Sequence, residues 1–370
     1  MNSKVMSIVI VGGGLVGLTA AASLRRIGHE VTVLEQAPEI RAVGAGISLW
    51  PNALREFDRF GIGAEVAAMG REVDAWFFDP AGRAQRPAGY DDSAFRFLFV
   101  PRPRLSTVLA DAVGRTRITL GARVTGYTET DDKVVAHLDN GASVHADLLI
   151  GADGVYSRVR AQLLPDSEAR PHVGNFAWRA VVPAGDERPE GTVLTLGPER
   201  IRGGYSRITE TETMWFISQF GTGTLTGGKR DRALERARHL AEGGWHEDLL
   251  RMIAATPEQS ILENQIMVVP ALPRWTSRRV ALIGDAAHGL SPHIAAGGTL
   301  GIEDVGVLRN ALETTPNLRN ALISYEQLRM LRFERVRTLA DEVENADGPA
   351  ESARRYAAFS HWMLTTAPTV

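Results

Sequence analysis

Residues 5–36 read VMSIVIVGGGLVGLTAAASLRRIGHEVTVLEQ, and the order of residue types in this stretch decides the fold class. Val5 to Val11 is a short apolar, β-branched run of the kind that forms a strand buried on both faces. Leu15 to Ile27 reads as a helix, with Gly28 at the position where a helix C-terminus favours a left-handed residue. A second strand follows from Glu30 to Leu34 and ends at Glu35. The turn Gly12-Gly13-Gly14-Leu15-Val16-Gly17 is therefore G-x-G-x-x-G in a strand–turn–helix setting. Gly12 permits the tight turn, Gly14 the close approach of a pyrophosphate, and Gly17 the packing of helix on strand. Free N–H groups and the helix dipole then favour an anion at the helix start. Glu35, eighteen residues after Gly17, suits hydrogen bonding to a ribose diol and disfavours a 2′-phosphate.

Composition narrows the possibilities further. The chain has 370 residues, 44% of them hydrophobic, with a formal net charge of −3, which carries no nucleic-acid footprint. It contains no Cys, so disulfides, thiolate metal sites and cysteine nucleophiles are excluded, and redox chemistry must come from a bound cofactor. No apolar stretch approaches the roughly 20 residues that a bilayer span requires. Lys4 and the run to Val11 are too soon interrupted by Gly12 for a signal peptide, and the expected location is the cytoplasm. Lys occurs only at positions 4, 133 and 229, so an Arg by itself is no sign of an anion site.

The turn alone does not separate NAD from FAD. No second G-x-G-x-x-G follows a strand elsewhere. Instead Leu148-Leu149-Ile150-Gly151-Ala152-Asp153-Gly154 is a strand ending in Asp-Gly, followed by Ser157, Arg158 and Arg160. Val280-Ala281-Leu282-Ile283-Gly284-Asp285-Ala286-Ala287-His288 is another strand, ending in Gly-Asp. A carboxylate just past the carboxyl end of a buried strand can accept bonds from ribityl hydroxyls, although Asp285 in that place is equally suited to cap the next helix. Pro292 to Gly298 is an uncharged loop leading into a helix from about Thr299, whose N–H groups can stabilise negative charge on a reduced flavin.

These three segments, in this order, resemble the fingerprints of the class A FAD-dependent monooxygenases, the aromatic hydroxylase family of para-hydroxybenzoate, salicylate and urate hydroxylases. The resemblance covers nearly the whole chain. Arg41, Gly44, Gly46 and Pro51-Asn52-Ala53 resemble the segment that passes the flavin, and Val100-Pro101-Arg102 with Leu105 resembles the stretch whose Arg approaches it. The family places the segment around Val124 beside the adenine, and Tyr325, Glu326 and Arg329 in a long C-terminal helix. The resemblance implies non-covalent FAD held by Gly12, Gly14, Leu15, Val16, Gly17, Glu35, Gln36, Arg41, Gly44, Gly46, Arg102, Val124, Asp153, Asp285, Pro292, Gly298 and Thr299. One departure stands out: Ala295-Ala296-Gly297-Gly298-Thr299 replaces the family's Gly-Gln-Gly-x-Asn, and Ala does not enter positive-φ space cheaply.

The implied fold is α/β: a Rossmann-like FAD-binding domain interleaved with an antiparallel substrate domain, then C-terminal helices. The expected divisions are residues 1–72, 100–175 and 270–312 for FAD, 73–99 and 176–269 for substrate, and 313–370 for the helices. Residues 176–220 alternate polar and apolar side chains as antiparallel strands do, and 231–255 has helical period. Substrate-contact candidates are His293 after Pro292, Tyr205 and Trp215 on strands that can equally be core, and Arg202. His288 reads as structural.

The implied reaction is reduction of FAD by NADH or NADPH, addition of O2 at the flavin C4a position, and oxygen transfer from the hydroperoxide to an electron-rich, aromatic small molecule. An oxidase, dehydrogenase or halogenase on the same scaffold, or a non-catalytic redox sensor, are the alternatives. The expected assembly is a monomer or homodimer, with no nucleic-acid or membrane partner.

Overall fold

Strand propensity and burial coincide in the first element. Ser7–Val11 is the middle strand of a five-stranded sheet in the order 280–282, 148–151, 7–11, 30–35, 118–120, with every pairing parallel. The computed structural model describes residues 5–40, 46–89, 96–187, 192–221, 225–241 and 244–368. Val9 and Ile10 are fully buried, as expected of a central parallel strand covered on both sides. Helix Leu15–Arg26 follows the glycine turn and packs against the buried helix Gly297–Thr314, which starts two residues before the expected Thr299. Gly28, at φ +93°, ends the first helix by turning left-handed.

A second sheet has eight strands in the order 262–268, 170–183, 212–219, 202–207, 192–196, 71–78, 96–101, 46–49. Its pairings are antiparallel except that between Thr192–Leu196 and Arg71–Phe78. Gly46–Leu49 thus joins this sheet, although its place in the sequence falls within the segment expected to hold FAD. A small antiparallel sheet of Val124–Glu129, Val134–Leu138 and Ser143–Ala146 is inserted in the chain between the parallel strands 118–120 and 148–151.

Alternation gives the large sheet two different faces. Trp178, Tyr205, Trp215 and Ile217 point to its outer side, where Ala233, Ala237, Leu249 and Ile253 cover them. The single helical run expected at 231–255 is two helices, Lys229–His239 and Glu247–Ala255. Val73, Phe77, Phe97 and Met214 point to the inner side, against Ile294, Ala296 and Leu300 and the C-terminal helices Leu318–Glu344 and Pro349–Thr365. The inner face therefore meets the loop that follows Pro292.

Candidate active site

Three segments far apart in sequence meet at the carboxyl ends of the parallel strands, and glycine contacts show how closely. A Cβ at Gly12, whose φ is +107°, would lie 2.4 Å from the carbonyl oxygen of Ala152, and one at Gly17 would lie 2.0 Å from that of Gly12. Val16 sits 3.1 Å from the position of a Gly284 Cβ, so the first turn touches the third motif as well. Gly298 is crowded by side chains rather than backbone, a Cβ there lying 2.6 Å from the flexible end of Ile47 and 3.4 Å from Leu15. Gly46 is similarly closed by Phe99, at 2.5 Å. Gly14 differs from all of these: nothing lies within 4 Å of where its Cβ would be.

That open position sits at a helix start built for an anion. Helix Leu15–Arg26 has no side-chain cap and no acidic residue in its first turn, and the same is true of Gly297–Thr314. Their N-terminal N–H groups are the donors that helix geometry leaves over. Glu35 borders the first turn, its Oε2 accepting from Gly13 N at 2.6 Å and its Oε1 from Ala37 N at 2.7 Å. Each oxygen retains a lone pair for a ribose hydroxyl. Gln36 beside it is exposed, and Ala122 N donates to the Glu35 carbonyl at 2.8 Å, which brings the segment before the buried Val124 alongside.

The two motif aspartates are used differently. Asp153 turns inward to a helix start: Ser157 Oγ donates to Oδ1 at 2.5 Å, and Arg158 N and Val159 N donate to Oδ2 at 2.7 and 3.2 Å. Burial pushes its carboxyl up, and those three bonds pull it back in part. Asp285 is exposed, it lies in the first turn of Asp285–His288 after the N-cap Gly284, and its Oδ1 is 4.0 Å from where a Gly297 Cβ would be. Its charge acts on Arg102, the first residue of helix Arg102–Val113, whose pKa burial lowers and Asp285 raises.

A buried ionic lattice holds the Asp285 turn in place. Asp304 accepts from Gly284 N at 2.8 Å and from Arg329 Nε at 2.6 Å, and its Oδ2 is 2.6 Å from His288 Nε2. Burial opposes ionisation of Asp304, but His288 and Arg329 beside it hold its carboxyl below the usual range. Arg329 also bonds Glu303, which Arg332 and Asn52 share. Tyr325 OH donates to Leu282 O, and Glu326 accepts from Trp275 N and Thr276 N, so the long helix clamps the edge strand 280–282. His288 is a framework group here. Asp304 was not singled out from sequence, although a Glu-Asp pair inside the otherwise apolar run 300–308 is the signal that marks it.

The loop after Pro292 keeps its left-handed geometry without glycine. Ala295 has φ +53° and ψ 26°, closed by its N–H on Pro292 O at 2.9 Å and by Trp50 Nε1 on its carbonyl at 3.1 Å. Such a conformation costs an alanine about 1 kcal/mol. Thr299 Oγ1 is buried and accepts from Trp50 N at 3.1 Å, leaving its main chain to the helix start. Pro292 is exposed beside it, while Arg41 and Gly44 lie outside the described residues.

The substrate candidates separate spatially. Tyr205 is 3% exposed on the outer face of the sheet, its ring 5.8 Å from that of His246, and Trp215 is buried on the same side with Nε1 donating to Thr256 Oγ1 at 2.9 Å. Arg202 is on the inner face but engaged, its Nη2 donating to Glu344 O at 3.1 Å with the guanidinium over the Phe220 ring. Burial pulls its pKa down to about 10. His293 Nε2 is 2.9 Å from Ala340 O, which can only accept, so that nitrogen carries the proton and Nδ1 is a buried acceptor without a protein partner. Burial, reinforced by Arg202, pushes this imidazole down to about 4, so it remains neutral between pH 6 and 7, where an ordinary histidine titrates.

Residues 5–339 match the model of the FAD binding domain family, and the chain belongs to that family. It is similar to aurachin C monooxygenase/isomerase of Stigmatella aurantiaca, with 34% identity over 88% of this chain and 86% of the relative. It is also similar to 6-hydroxynicotinate 3-monooxygenase of Bordetella bronchiseptica, 31% identical over 90% of each chain. Among solved structures, HpxO of Klebsiella pneumoniae complexed with FAD and uric acid superposes with a TM-score of 0.83 at 25% identity, over 96% of this chain and 93% of the other. The chain is a FAD-dependent monooxygenase of the class A type. The residues present fit that cofactor: the Gly14 position is open, both helix starts are uncapped, Leu15 comes within 3.4 Å of a Gly298 Cβ position, and the exposed Asp285 lies beside Gly297.

Proposed function

We propose that this monooxygenase hydroxylates an electron-rich aromatic or heteroaromatic small molecule with NADH or NADPH and O2. One observation carries the reading: the inner face of the large sheet presents half-buried apolar side chains, Val181, Leu194 and Phe216, across from the loop that precedes the Gly297 helix start. Bound FAD supplies the oxygen chemistry, which needs neither metal nor thiol. Gly12, Gly14 and Gly17, with Glu35, would hold its adenosine diphosphate part, and Asp285, Arg102 and the main chain at Gly297–Thr299 the remainder. The apolar sheet face and the C-terminal helices exclude water from the reacting region. His293 Nδ1, kept an acceptor by the bond of Nε2 to Ala340 O, suits a hydrogen bond from a substrate hydroxyl or ring N–H. The names of relatives support the substrate class, since one acts on 6-hydroxynicotinate and HpxO is seen with uric acid.

No helix of the described residues is long and apolar enough to cross a membrane. We place the enzyme in the cytoplasm, which cell fractionation tests. The reaction itself is tested by a screen of phenols, hydroxypyridines, purines and quinolones for stimulated NADH or NADPH oxidation, followed by product mass. Gain of one oxygen atom supports monooxygenation. Peroxide as the sole oxygen product, for every compound that stimulates donor oxidation, makes the chain an oxidase instead.

A further inference from the structure

The chain leaving strand Gly46–Leu49 meets the Gly297 helix start at three points. A Cβ at Gly298 would lie 2.6 Å from Ile47. Trp50 N donates to Thr299 Oγ1 at 3.1 Å, and the indole Nε1 of the same residue donates to Ala295 O at 3.1 Å. One side chain and its own backbone therefore hold the chain on both sides of the two glycines that open the helix. Trp50 is itself fixed. It is fully buried, the Pro51 that follows keeps it extended at ψ 159°, and its carbonyl accepts from Ala53 N at 2.9 Å. Phe97 of the large sheet and Tyr356 and Phe359 of the last helix pack around the indole, with ring centroids 6.4, 6.2 and 5.8 Å away.

The grip on Ala295 has a consequence because this residue is left-handed, at φ +53°. Alanine, unlike glycine, is drawn out of that conformation towards the right-handed region. The bond of Ala295 N to Pro292 O closes the turn from one side, and the indole N–H holds the carbonyl from the other. The peptide that follows is planar and trans, so fixing the Ala295 oxygen on the indole also fixes the Ala296 N–H, which points the opposite way. Direction decides what such groups can do. N–H groups at an uncapped helix start stabilise an anion strongly only when they are aligned for it beforehand.

We propose that Trp50 is a positioning residue which, through its indole N–H on the left-handed Ala295, keeps the main chain at the Gly297 helix start aligned for the added negative charge of reduced FAD. This rests on the seat proposed for the flavin at that helix start, and not on which substrate is oxygenated. Two quantities are measured on the holoenzyme: the two-electron midpoint potential of the bound flavin, by equilibration with a redox dye, and the Kd of oxidised FAD. Trp50→Phe removes the N–H and shrinks the ring, whereas Trp50→benzothienylalanine removes the N–H and keeps the bicyclic shape, so the second variant decides if the first fails to fold. Each should weaken the preference for reduced over oxidised FAD about tenfold, which for a two-electron couple lowers the midpoint by about 30 mV. Affinity for oxidised FAD should change much less. Ala295→Gly in the benzothienylalanine background should recover most of the loss, since glycine stays left-handed without help. An unchanged midpoint in the Trp50 variants, an equal loss of oxidised and reduced FAD as a merely structural role would give, or no recovery by Ala295→Gly would overturn the proposal and leave the flavin seat standing. A wild-type midpoint no higher than that of free FAD would overturn both, because the helix start would then not favour the reduced form.

Discussion

The two sides of the groove are specified in different ways. On the parallel-sheet side the functional groups are mostly main chain, and side chains are excluded where backbone meets backbone: Gly12 and Gly17 are each closed off by a carbonyl oxygen within 2.4 Å of a Cβ. On the large-sheet side the function lies in which side chains the pleat turns inward, with Leu194 and Phe216 on the inner face and Tyr205 and Trp215 turned from it. The first side tolerates almost no change and is readable from local spacing. The second can be altered residue by residue without touching the fold, which is where substrate choice can diverge.

The sharpest way to break this contrast is a glycine series. Gly12→Ala and Gly17→Ala each drive a Cβ into a carbonyl oxygen, and should weaken FAD binding more than about 100-fold or abolish folding. Gly14→Ala meets open space, so the apo-protein should stay within about 0.5 kcal/mol of wild type while FAD affinity falls. Flavin retention on gel filtration and denaturant titration separate the two effects, and an unfolded G14A would refute the contrast.

Asp153 and Asp285 give the next largest effect, with opposite readouts. Asp153→Ala removes an acceptor of three hydrogen bonds at a helix start and should destabilise the apo-protein by about 1–3 kcal/mol. Asp285→Ala should leave the melting temperature unchanged and lower FAD affinity at least about tenfold. Wild-type flavin content with a lowered melting temperature in D285A would make Asp285 a structural residue.

Acid should then act through two buried imidazoles. His246 and His293 are each pushed down to about 4, chiefly by burial, from an ordinary value of about 6.5. The unfolded chain takes up these protons first, so their contribution is fully present above pH 6.5 and is lost as pH falls towards 4. Denaturant titrations at pH 7 and pH 5 should differ by of order 1–3 kcal/mol, and His246→Gln should reduce the difference. Turnover should show no His293 titration between pH 6 and 7; a break there that vanishes in His293→Gln would make His293 a base instead of a neutral acceptor. Smallest of all, Ala295→Gly should stabilise the protein by about 0.5–1 kcal/mol by relieving a left-handed alanine.

How far the sequence is legible follows the same division. The βαβ unit, both later strand ends and the long C-terminal helix are local patterns, and they stand where spacing places them. The period of residues 176–220 announces strands, but a two-residue alternation does not say which of its faces is inside. Tyr205 and Trp215, conspicuous as aromatics, belong to the outer core, and Gly204 and Phe216 beside them carry the inner surface. Burial and the bond to Ala340 likewise reset His293, and neither can be read within its own loop.

The central claim is that the groove between these two sides inserts one atom of molecular oxygen into an aromatic molecule. Turnover of the best-binding compound under heavy-isotope O2, with mass analysis of the product, tests it most directly. The account predicts one heavy oxygen per product molecule, with one NADH or NADPH consumed for each. Heavy oxygen appearing only in hydrogen peroxide, or product oxygen derived from water, would contradict it.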